Sequence, residues 1–373
     1  MRPLAGLRVL DFSTLLPGPL ATLILAEAGA EVIKLERPDS GEEMRRYRPA
    51  FGGSSVNFAL LNRGKKSIAI DLKAADTLAR LRPLIETAQI VVEQFRPGVM
   101  DRLGLGYEVL AAINPRLVYC AITGYGQDGP KAGIAAHDLN YIADSGMLAL
   151  AVGKARPPSL PPALIADIGG GSLPAVINIL LALRVADATG KGCKLDIAMT
   201  DNLFAWQYWA MGNGEAAGLW PEPGNDMVTG GSPRYQIYPT GDGGHVAAAP
   251  LEQKFWDNFC AAIGLDPALA DDTKDPAKTK AAVAAIIASR PSADWREIFA
   301  GKDVCCNLIQ DIRAALADPH FRARGLFDAG LVAGRDRITA LPVPLAPILR
   351  ANPSDLGYPA LGADNALLGA RGK

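Results

Sequence analysis

The chain has 373 residues, of which 49% are hydrophobic and 21% are charged, and its formal net charge is −1. This length predicts about two domains with a sizeable buried core, and the near-zero charge excludes a general basic surface for nucleic acid and a polybasic membrane-binding segment. The five cysteines show no CxxC or metal-ligand spacing, so we expect a cytoplasmic protein without a metal site.

The first two hundred residues alternate predicted strands with predicted helices. Strands are predicted at residues 7–12, 30–36, 67–72, 89–95, 116–123 and 194–199, and helices at residues 20–28, 73–88, 107–113 and 173–185. The alternation is typical of a parallel sheet with helices on both faces, which binds its ligand at the carboxyl ends of the strands. Residues 37–55 carry no periodicity and are predicted to form a surface loop.

The second half of the chain has a different pattern. Residues 204–231 hold aromatic side chains among glycine, proline and asparagine, which predicts a linker. A strand, the Asp242-Gly243 turn and a second strand follow, and three helical segments come next. We therefore expect a large domain of residues 1–200 and 333–373, a linker of residues 201–232 and a small domain of residues 233–332. The proline-rich tail from Leu341 is expected to return to the first domain.

Three motif-like signals are set aside. The apolar run near the N-terminus is broken by Pro17-Gly18-Pro19, which favours a strand, turn and helix over a signal peptide. The apolar stretch at residues 173–183 falls short of the roughly 20 residues that span a bilayer. Residues 124–129 match G-x-G-x-x-G, but Pro130 follows at once and no helix opens there, so this is not a dinucleotide fingerprint.

His137 and Asp167 are the strongest candidates for chemistry. His137 is either a loop residue beside the helix cap Asp138 or a general base, because the unperturbed pKa of histidine lies near neutrality. Asp167 is either a helix N-cap or a carboxyl group beside an anion site, since glycines at a helix start let backbone N–H groups approach an anionic oxygen. We hypothesise that the two side chains exchange a proton with a carbon atom of a substrate between them.

Further charged residues have both a structural and a functional interpretation. Glu252 is either an acid in the first turn of a helix or a site residue, and His245 and His320 are interpreted as non-catalytic. Six basic residues lie just after predicted strands or in the loops beyond: Arg37, Arg63, Lys65, Lys66, Arg96 and Arg102. Each alone is an ordinary surface charge, but together they predict a ligand with several phosphates.

Several stretches between residues 4 and 260 resemble, in the same order, the class III CoA-transferase superfamily of the CaiB/BaiF type, and within it the alpha-methylacyl-CoA racemases. They are LAGLRVLDFS with PGP, a strand ending in ERP, LNRGKKSIAIDLK, VVEQFRPGVMDRLGLGYE, NPRLVYCAITGYGQDGP, AHDLNY, ADIGGGS, GKGCKLDIAMTDN, GGSPRYQIYPTGDGGHVA and LEQKFW.

The resemblance implies an α/β fold, with a Rossmann-like large domain that binds CoA on a parallel sheet and a smaller α+β domain. It also implies an interlocked homodimer whose active site is shared between subunits. His137 and Asp167 match the acid–base pair, and Glu252 matches a carboxylate, supplied by the other subunit, that positions the histidine. The CoA-binding positions that it implies are Arg37, Asn62, Arg63, Lys65, Arg96, Arg102, Ala136, Asp138, Asn140 and Tyr141. No cofactor beyond the CoA moiety, no metal, no nucleic acid and no membrane is expected.

Two chemistries remain open within this resemblance. A racemase removes and returns the α-proton of a 2-methylacyl-CoA through an enolate, whose oxygen the N–H groups of Gly169 and Gly170 would stabilise. A transferase uses the aspartate at position 167 as a nucleophile that forms an anhydride and then a CoA thioester, and it usually lacks a histidine at position 137. The set His137, Asp167 and Glu252 favours the racemase, although Asp167 alone fits both.

Overall fold

The computed structural model describes residues 2–151 and 159–369. The chain divides into two compact units: the first comprises Met1–Ser145, Ala163–Trp206 and Pro319–Lys373, and the second comprises Gly146–Pro162 and Gln207–Asp318. The domain boundaries expected above remain predictions.

The strands, in chain order, are β1 (Arg8–Asp11), β2 (Glu31–Glu36), β3 (Ala50–Phe51), β4 (Ser54–Ser55), β5 (Lys66–Ala69), β6 (Ile90–Glu93), β7 (Val118–Thr123), β8 (Cys193–Ala198), β9 (Gln236–Pro239), β10 (His245–Ala248), β11 (Cys306–Leu308), β12 (Gly330–Ala333) and β13 (Asp336–Thr339). The α-helices are α1 (Pro17–Glu27), α2 (Val56–Asn62), α3 (Thr77–Ile85), α4 (Val99–Arg102), α5 (Tyr107–Ile113), α6 (Asp138–Asp144), α7 (Leu173–Thr189), α8 (Tyr208–Ala217), α9 (Gln253–Ile263), α10 (Pro276–Ala288), α11 (Ser292–Phe299), α12 (Ile312–Ala317) and α13 (Pro319–Ala323). A π-helical segment (Ala166–Ser172) runs directly into α7.

A six-stranded parallel sheet organises the first unit, in the order β5-β2-β1-β6-β7-β8. The α/β fold with a parallel sheet is therefore confirmed. Strands β6 and β7 are buried along their whole length and read as apolar runs because both faces of the sheet are covered. The strand order reverses between β1 and β6, and in open α/β sheets the crevice outside the carboxyl ends at such a reversal is where ligands bind.

A buried network of charges lies at the carboxyl end of β1. Lys65 Nζ donates to Asp11 Oδ2 at 3.1 Å, to Thr22 Oγ1 at 2.7 Å and to Asn62 Oδ1 at 2.9 Å. Asp11 also accepts from Thr22 Oγ1 at 2.6 Å and from the backbone N of Ser13 at 3.0 Å. The side chains of Asp11 and Lys65 are both fully buried. The network therefore ties β1 to α1, to α2 and to the start of β5.

The second unit is built on the three-stranded antiparallel sheet β11-β10-β9. Its core contains Trp256 from α9 and Trp295 from α11, which are almost fully buried. Each indole N–H has a carbonyl partner, Ala270 O at 2.7 Å for Trp256 and Ile287 O at 2.8 Å for Trp295. Buried tryptophans satisfied in this way belong to a well-packed core, and the predicted β9–β10 hairpin is confirmed.

Three predicted segments differ in the structure. The helix expected from residue 173 begins earlier, and Ala166–Thr189 is a continuous helix of 24 residues. By length and composition alone, this helix is long and apolar enough to cross a membrane. Half of the most apolar stretch of this helix is buried within the protein, as in a core helix. The expected linker contains α8, and the expected loop at residues 37–55 contains the β3–β4 hairpin.

The tail returns to the first unit, as predicted, and covers the edge strand β5. The backbone N of Ser67 donates to Asp364 Oδ2 at 2.9 Å, and the backbone N of Asp364 donates to Ser67 O at 2.9 Å. The backbone N of Ala69 donates to Asn365 Oδ1 at 2.8 Å. The edge of the sheet is thereby paired rather than left open to another chain.

We expect Lys65→Met to lower the free energy of unfolding by about 3–5 kcal/mol, because it removes the salt-bridge partner of the buried Asp11 carboxylate. Chemical denaturation measures the loss. The neighbouring Lys66→Met is the matched control: the Lys66 pair with Glu31 is partly exposed and should contribute about 1 kcal/mol or less. Equal losses in the two variants would contradict the structural role of the buried pair.

Candidate active site

His137 stands immediately before the first residue of α6. Its backbone is extended, its side chain is exposed, and its backbone N donates to Asn140 Oδ1 at 3.0 Å. The backbone N of Asn140 returns a bond to His137 O at 2.8 Å. These reciprocal bonds fix the start of the helix, so the backbone of His137 is held at a defined position in front of α6.

Asp138 connects this helix end to the segment that carries Asp167. Its Oδ1 accepts from the backbone N of Ala166 at 2.7 Å and from the backbone N of Asp167 at 3.0 Å. Asp138 is the first residue of α6 and is not the cap of that helix. Its carboxylate instead caps the π-helical segment Ala166–Ser172. Because His137 precedes Asp138, the two candidate acid–base residues lie on segments joined by one carboxylate.

The environment of Asp167 favours its protonated form. Burial and the charge of Asp138 raise the pKa of Asp167 to about 7. The hydroxyl of Tyr141 on α6 donates to Ala136 O at 2.7 Å, and burial together with the charges of Asp167 and Asp138 raises the pKa of Tyr141 to about 12. A carboxyl group poised near neutrality can act as an acid or as a base.

The glycines after Asp167 lie inside the helix rather than at its start. A Cβ atom on Gly169 would lie 2.3 Å from the Trp206 ring, and one on Gly170 would lie 2.2 Å from Met199 O. Asn202 Nδ2 also donates to Gly170 O at 2.8 Å. Close packing therefore requires glycine here, which corrects the expectation that Asp167 is the N-cap of a helix opening at the glycines; the oxyanion role of Gly169 and Gly170 stays a prediction.

The residues predicted to bind CoA fall into an exposed and a buried group. Arg37, Arg96 and Arg102 are exposed, and Arg37 and Arg96 follow the carboxyl ends of β2 and β6. Asn140 is also exposed, and Ala136 is partly buried. Arg37 and Arg96 therefore lie at the edge of the sheet where a parallel α/β fold binds its ligand.

The buried group makes its polar contacts within the protein. Lys65 and Asn62 belong to the network around Asp11. Arg63 Nε donates to Glu27 Oε1 at 2.9 Å, and Arg63 Nη2 donates to Leu341 O at 2.7 Å. These three side chains make contacts within the fold, whereas Arg63 and Lys65 were predicted as phosphate ligands and the resemblance implied Asn62 as a CoA-binding position.

Glu252 belongs to the second unit, where it is exposed at the N-cap of α9 and its carbonyl accepts from the backbone N of Trp256 at 3.0 Å. Its predicted partnership with His137 stays a prediction. A cavity of about 830 Å³ in the first unit is lined by residues from the 39–54 and 332–361 segments and by none of the three predicted catalytic residues. Within residues 2–151 and 159–369, no three His, Cys, Asp or Glu side chains are grouped to hold a metal ion.

Two contacts of this site have no signal in the sequence. The first is the bond from Asp138 to the helix of Asp167, which joins residues 28 and 29 positions apart. The second is the packing of Trp206 on Gly169. Both depend on how separate elements meet, and neither follows from a local motif.

The comparisons with known proteins point to one family and two activities. The model of CoA-transferase family III matches residues 4–365. The chain is 33% identical over 369 residues to alpha-methylacyl-CoA racemase of Mus musculus, covering 96% of this chain and 90% of the relative. It is 33% identical over 334 residues to acetyl-CoA:oxalate CoA-transferase of Acetobacter aceti, covering 87% and 85%. A crystal structure of a CaiB/BaiF family protein from Brucella suis matches with a TM-score of 0.80 and 29% identity, covering 98% of this chain and 97% of that one.

We expect Asp167→Asn to gain stability relative to the unmodified protein as the pH rises. A carboxyl group whose pKa is raised by folding contributes stability at low pH, and that contribution is lost as the pH rises through about 7. The advantage of the asparagine variant should grow by about 1–2 kcal/mol between pH 5 and pH 8, as measured by chemical denaturation. Asp128→Asn, which removes an exposed carboxylate, is the control, and a pH-independent difference for Asp167→Asn would refute the assignment.

Proposed function

Since the chain belongs to CoA-transferase family III, we propose that it is a racemase that interconverts the two epimers of a 2-methylacyl-CoA. Its matched relatives include proteins named as racemases and proteins named as CoA-transferases. The observation that carries the proposal is the pair of unlike groups on adjoining segments. His137 is an exposed imidazole, and Asp167 is a carboxyl group whose pKa is raised to about 7.

The proposed reaction moves one proton at a time. The neutral imidazole of His137 takes the α-proton from one epimer, and the electron pair of the broken C–H bond passes into the thioester to form an enolate. The protonated carboxyl of Asp167 then delivers its proton to the opposite face of the same carbon. The roles are reversed for the other epimer, and the backbone N–H groups of Gly169 and Gly170 are the proposed donors to the enolate oxygen.

Transfer of CoA between carboxylic acids is the second candidate function, and relatives with that name support it. In that reaction the ionised carboxylate of Asp167 attacks the acyl carbon, and the CoA thiolate leaves, which gives an anhydride. The thiolate then attacks the Asp167 carbonyl and releases the first carboxylic acid, so that a CoA thioester forms on the side chain. A raised pKa lowers the fraction of the carboxylate that is ionised near pH 7. The environment of Asp167 and the presence of His137 therefore favour proton transfer over nucleophilic attack.

Binding of the CoA moiety is proposed at the carboxyl edge of the large sheet. The exposed guanidinium groups of Arg37, Arg96 and Arg102 are free to pair with phosphates, and residues 136–141 would line the rest of the moiety. No cofactor beyond this moiety and no metal is proposed. We propose a cytoplasmic protein whose partners do not include nucleic acid or a membrane.

A homodimer with a shared active site completes the proposal. The partner subunit's Glu252 would position His137, as the family resemblance implies. One side of α7 supports association because it exposes Ile177, Leu181 and Val185, with relative exposures of 58%, 62% and 55%. Residues four apart lie on the same face of a helix, and a row of large exposed apolar side chains marks a surface that another protein covers.

The test of the reaction is exchange of the α-proton with deuterium from D₂O in a 2-methylacyl-CoA, with no acceptor acid present. We expect the unmodified protein to incorporate deuterium, and His137→Ala to lose at least ~100-fold of that rate because it lacks the base. His245→Ala is the matched control and should retain the rate. Absence of exchange together with trapping of Asp167 by hydroxylamine would favour the transferase instead.

The test of the dimer is the molar mass in solution. Sedimentation velocity of the unmodified protein should give twice the chain mass of 39.2 kDa, and Leu181→Glu should shift the protein toward the single-chain mass because it places a charge on the α7 face. Val109→Glu changes an exposed valine of α5 and should leave the mass unchanged. A Leu181→Glu variant that keeps the dimer mass would exclude this face as the interface.

A further inference from the structure

Asp138 is buried, with 6% of its surface exposed, although it lies between two exposed residues of the helix start, His137 and Leu139. Its Oδ1 accepts two backbone N–H groups from a different helix. The first N–H groups of a helix have no partner within the helix, and a carboxylate satisfies them and also interacts favourably with the helix dipole. The Asp138 side chain thus makes its hydrogen bonds within the protein, although the family resemblance implied that it belongs to the CoA-binding segment.

We propose that Asp138 is a positioning residue of the active site, whose carboxylate holds the helix that carries Asp167 in register with the segment that carries His137. This role rests on the proposed function. It differs from direct contact with CoA, since Asp138 would act through Asp167 and not through the substrate.

The geometry gives the carboxylate close control over Asp167. One of the two donated N–H groups belongs to Asp167 itself, and that nitrogen is bonded to the Cα atom from which the catalytic carboxyl projects. On the other side of the residue, Ser172 Oγ lies 3.1 Å from Asp167 O and donates to Pro17 O at 2.8 Å. The Asp138 carboxylate therefore holds the backbone N of Asp167, from whose Cα atom the carboxyl group projects.

The helix around Asp167 has a π-helical turn, as expected of a helix that positions a functional residue. Residues from Ala166 to Ser172 are π-helical, and such turns occur frequently at functional sites. The cap at Ala166 and Asp167 lies at the beginning of this turn. Misplacement of a reacting group by about 1 Å can cost on the order of 10²-fold in rate, so loss of the cap should reduce turnover.

The charge of Asp138 adds a second effect that can be separated from the first. Among the described titratable groups, Asp138 and Tyr141 of α6 interact with Asp167. The negative charge of Asp138 disfavours ionisation of Asp167 and keeps it protonated to higher pH. An asparagine at position 138 retains an oxygen that can accept the two N–H groups but removes the charge, whereas an alanine removes both.

The experiment compares Asp138→Asn and Asp138→Ala in the deuterium-exchange assay with a 2-methylacyl-CoA between pH 5 and pH 9. We expect Asp138→Ala to lower kcat by about 10–100-fold with KM changed by less than about 3-fold. Asp138→Asn should retain kcat at its optimum within about 3-fold, with the limb of the pH profile that reports Asp167 moved to lower pH. Asp144→Ala, a carboxylate of the same helix that bonds to Tyr125 and not to Asp167, should leave kcat and the profile unchanged.

Two results would overturn the proposal. A rise in KM at unchanged kcat in both Asp138 variants would make Asp138 a ligand of CoA, and an Asp138→Ala variant with wild-type kcat would leave it no positioning role. If the unmodified protein exchanges no deuterium, the proposed function has failed but the inference is still decided by hydrogen exchange of the peptide that spans residues 166–172. Asp138→Ala should accelerate that exchange and Asp138→Asn should not; equal exchange in all three proteins would overturn the inference independently.

Discussion

The ion pair between Asp11 and Lys65 is the constraint on which the first unit depends. Burial by itself would raise the pKa of Asp11, but Lys65, Lys34 and the hydroxyl groups of Ser13 and Thr22 outweigh it and lower the pKa to about 2. The carboxylate thus stays charged in the interior, where an unpaired charge would be costly. Its partners come from different elements, so β1, β2, α1 and the connection into β5 must all be in place together. That requirement fixes the carboxyl ends of the central strands, where the ligand-facing loops begin.

The network also explains why basic residues with the same position in the sequence pattern have different roles. Lys65 lies inside the network with four acceptors, whereas Arg37 and Arg96 project from the ends of β2 and β6 into solvent. A basic residue that follows a predicted strand can either pair with a buried carboxylate or extend into solvent, and its position in the sequence does not distinguish the two. Only the packing of α1 over β1 decides that Lys65 points inward, and this packing brings together residues 46 positions apart. The candidate ligands for phosphate are consequently the exposed arginines.

The sheet was predictable because its signal is local, and the start of the helix that carries Asp167 was not because its signal is tertiary. Largely apolar runs predicted β6 and β7, since strands covered on both faces are rich in apolar residues. Asp167 is a possible N-cap by its sequence, with the helix opening at the glycines that follow, but those glycines lie inside the helix, where Met199 and Trp206 pack so closely that only glycine fits. Helix α8 lies within the predicted linker, because glycines and aromatic residues such as those in its sequence are typical of linkers. The acid–base pair could be proposed from the residues and the resemblance, but not the carboxylate that joins their segments.

The choice between proton transfer and CoA transfer depends on the ionisation of one side chain rather than on the fold. Relatives named for each activity are equally identical to this chain, at 33%, so overall similarity carries no preference. A nucleophilic aspartate must be ionised when substrate arrives, whereas an aspartate that donates a proton must hold one. Burial and the adjacent charge of Asp138 bring Asp167 near the point of balance at about pH 7. The carboxylate of Asp138 thus accepts the backbone N–H of Asp167 and also carries the charge that disfavours ionisation of Asp167, and the proposed proton transfer requires that protonated form.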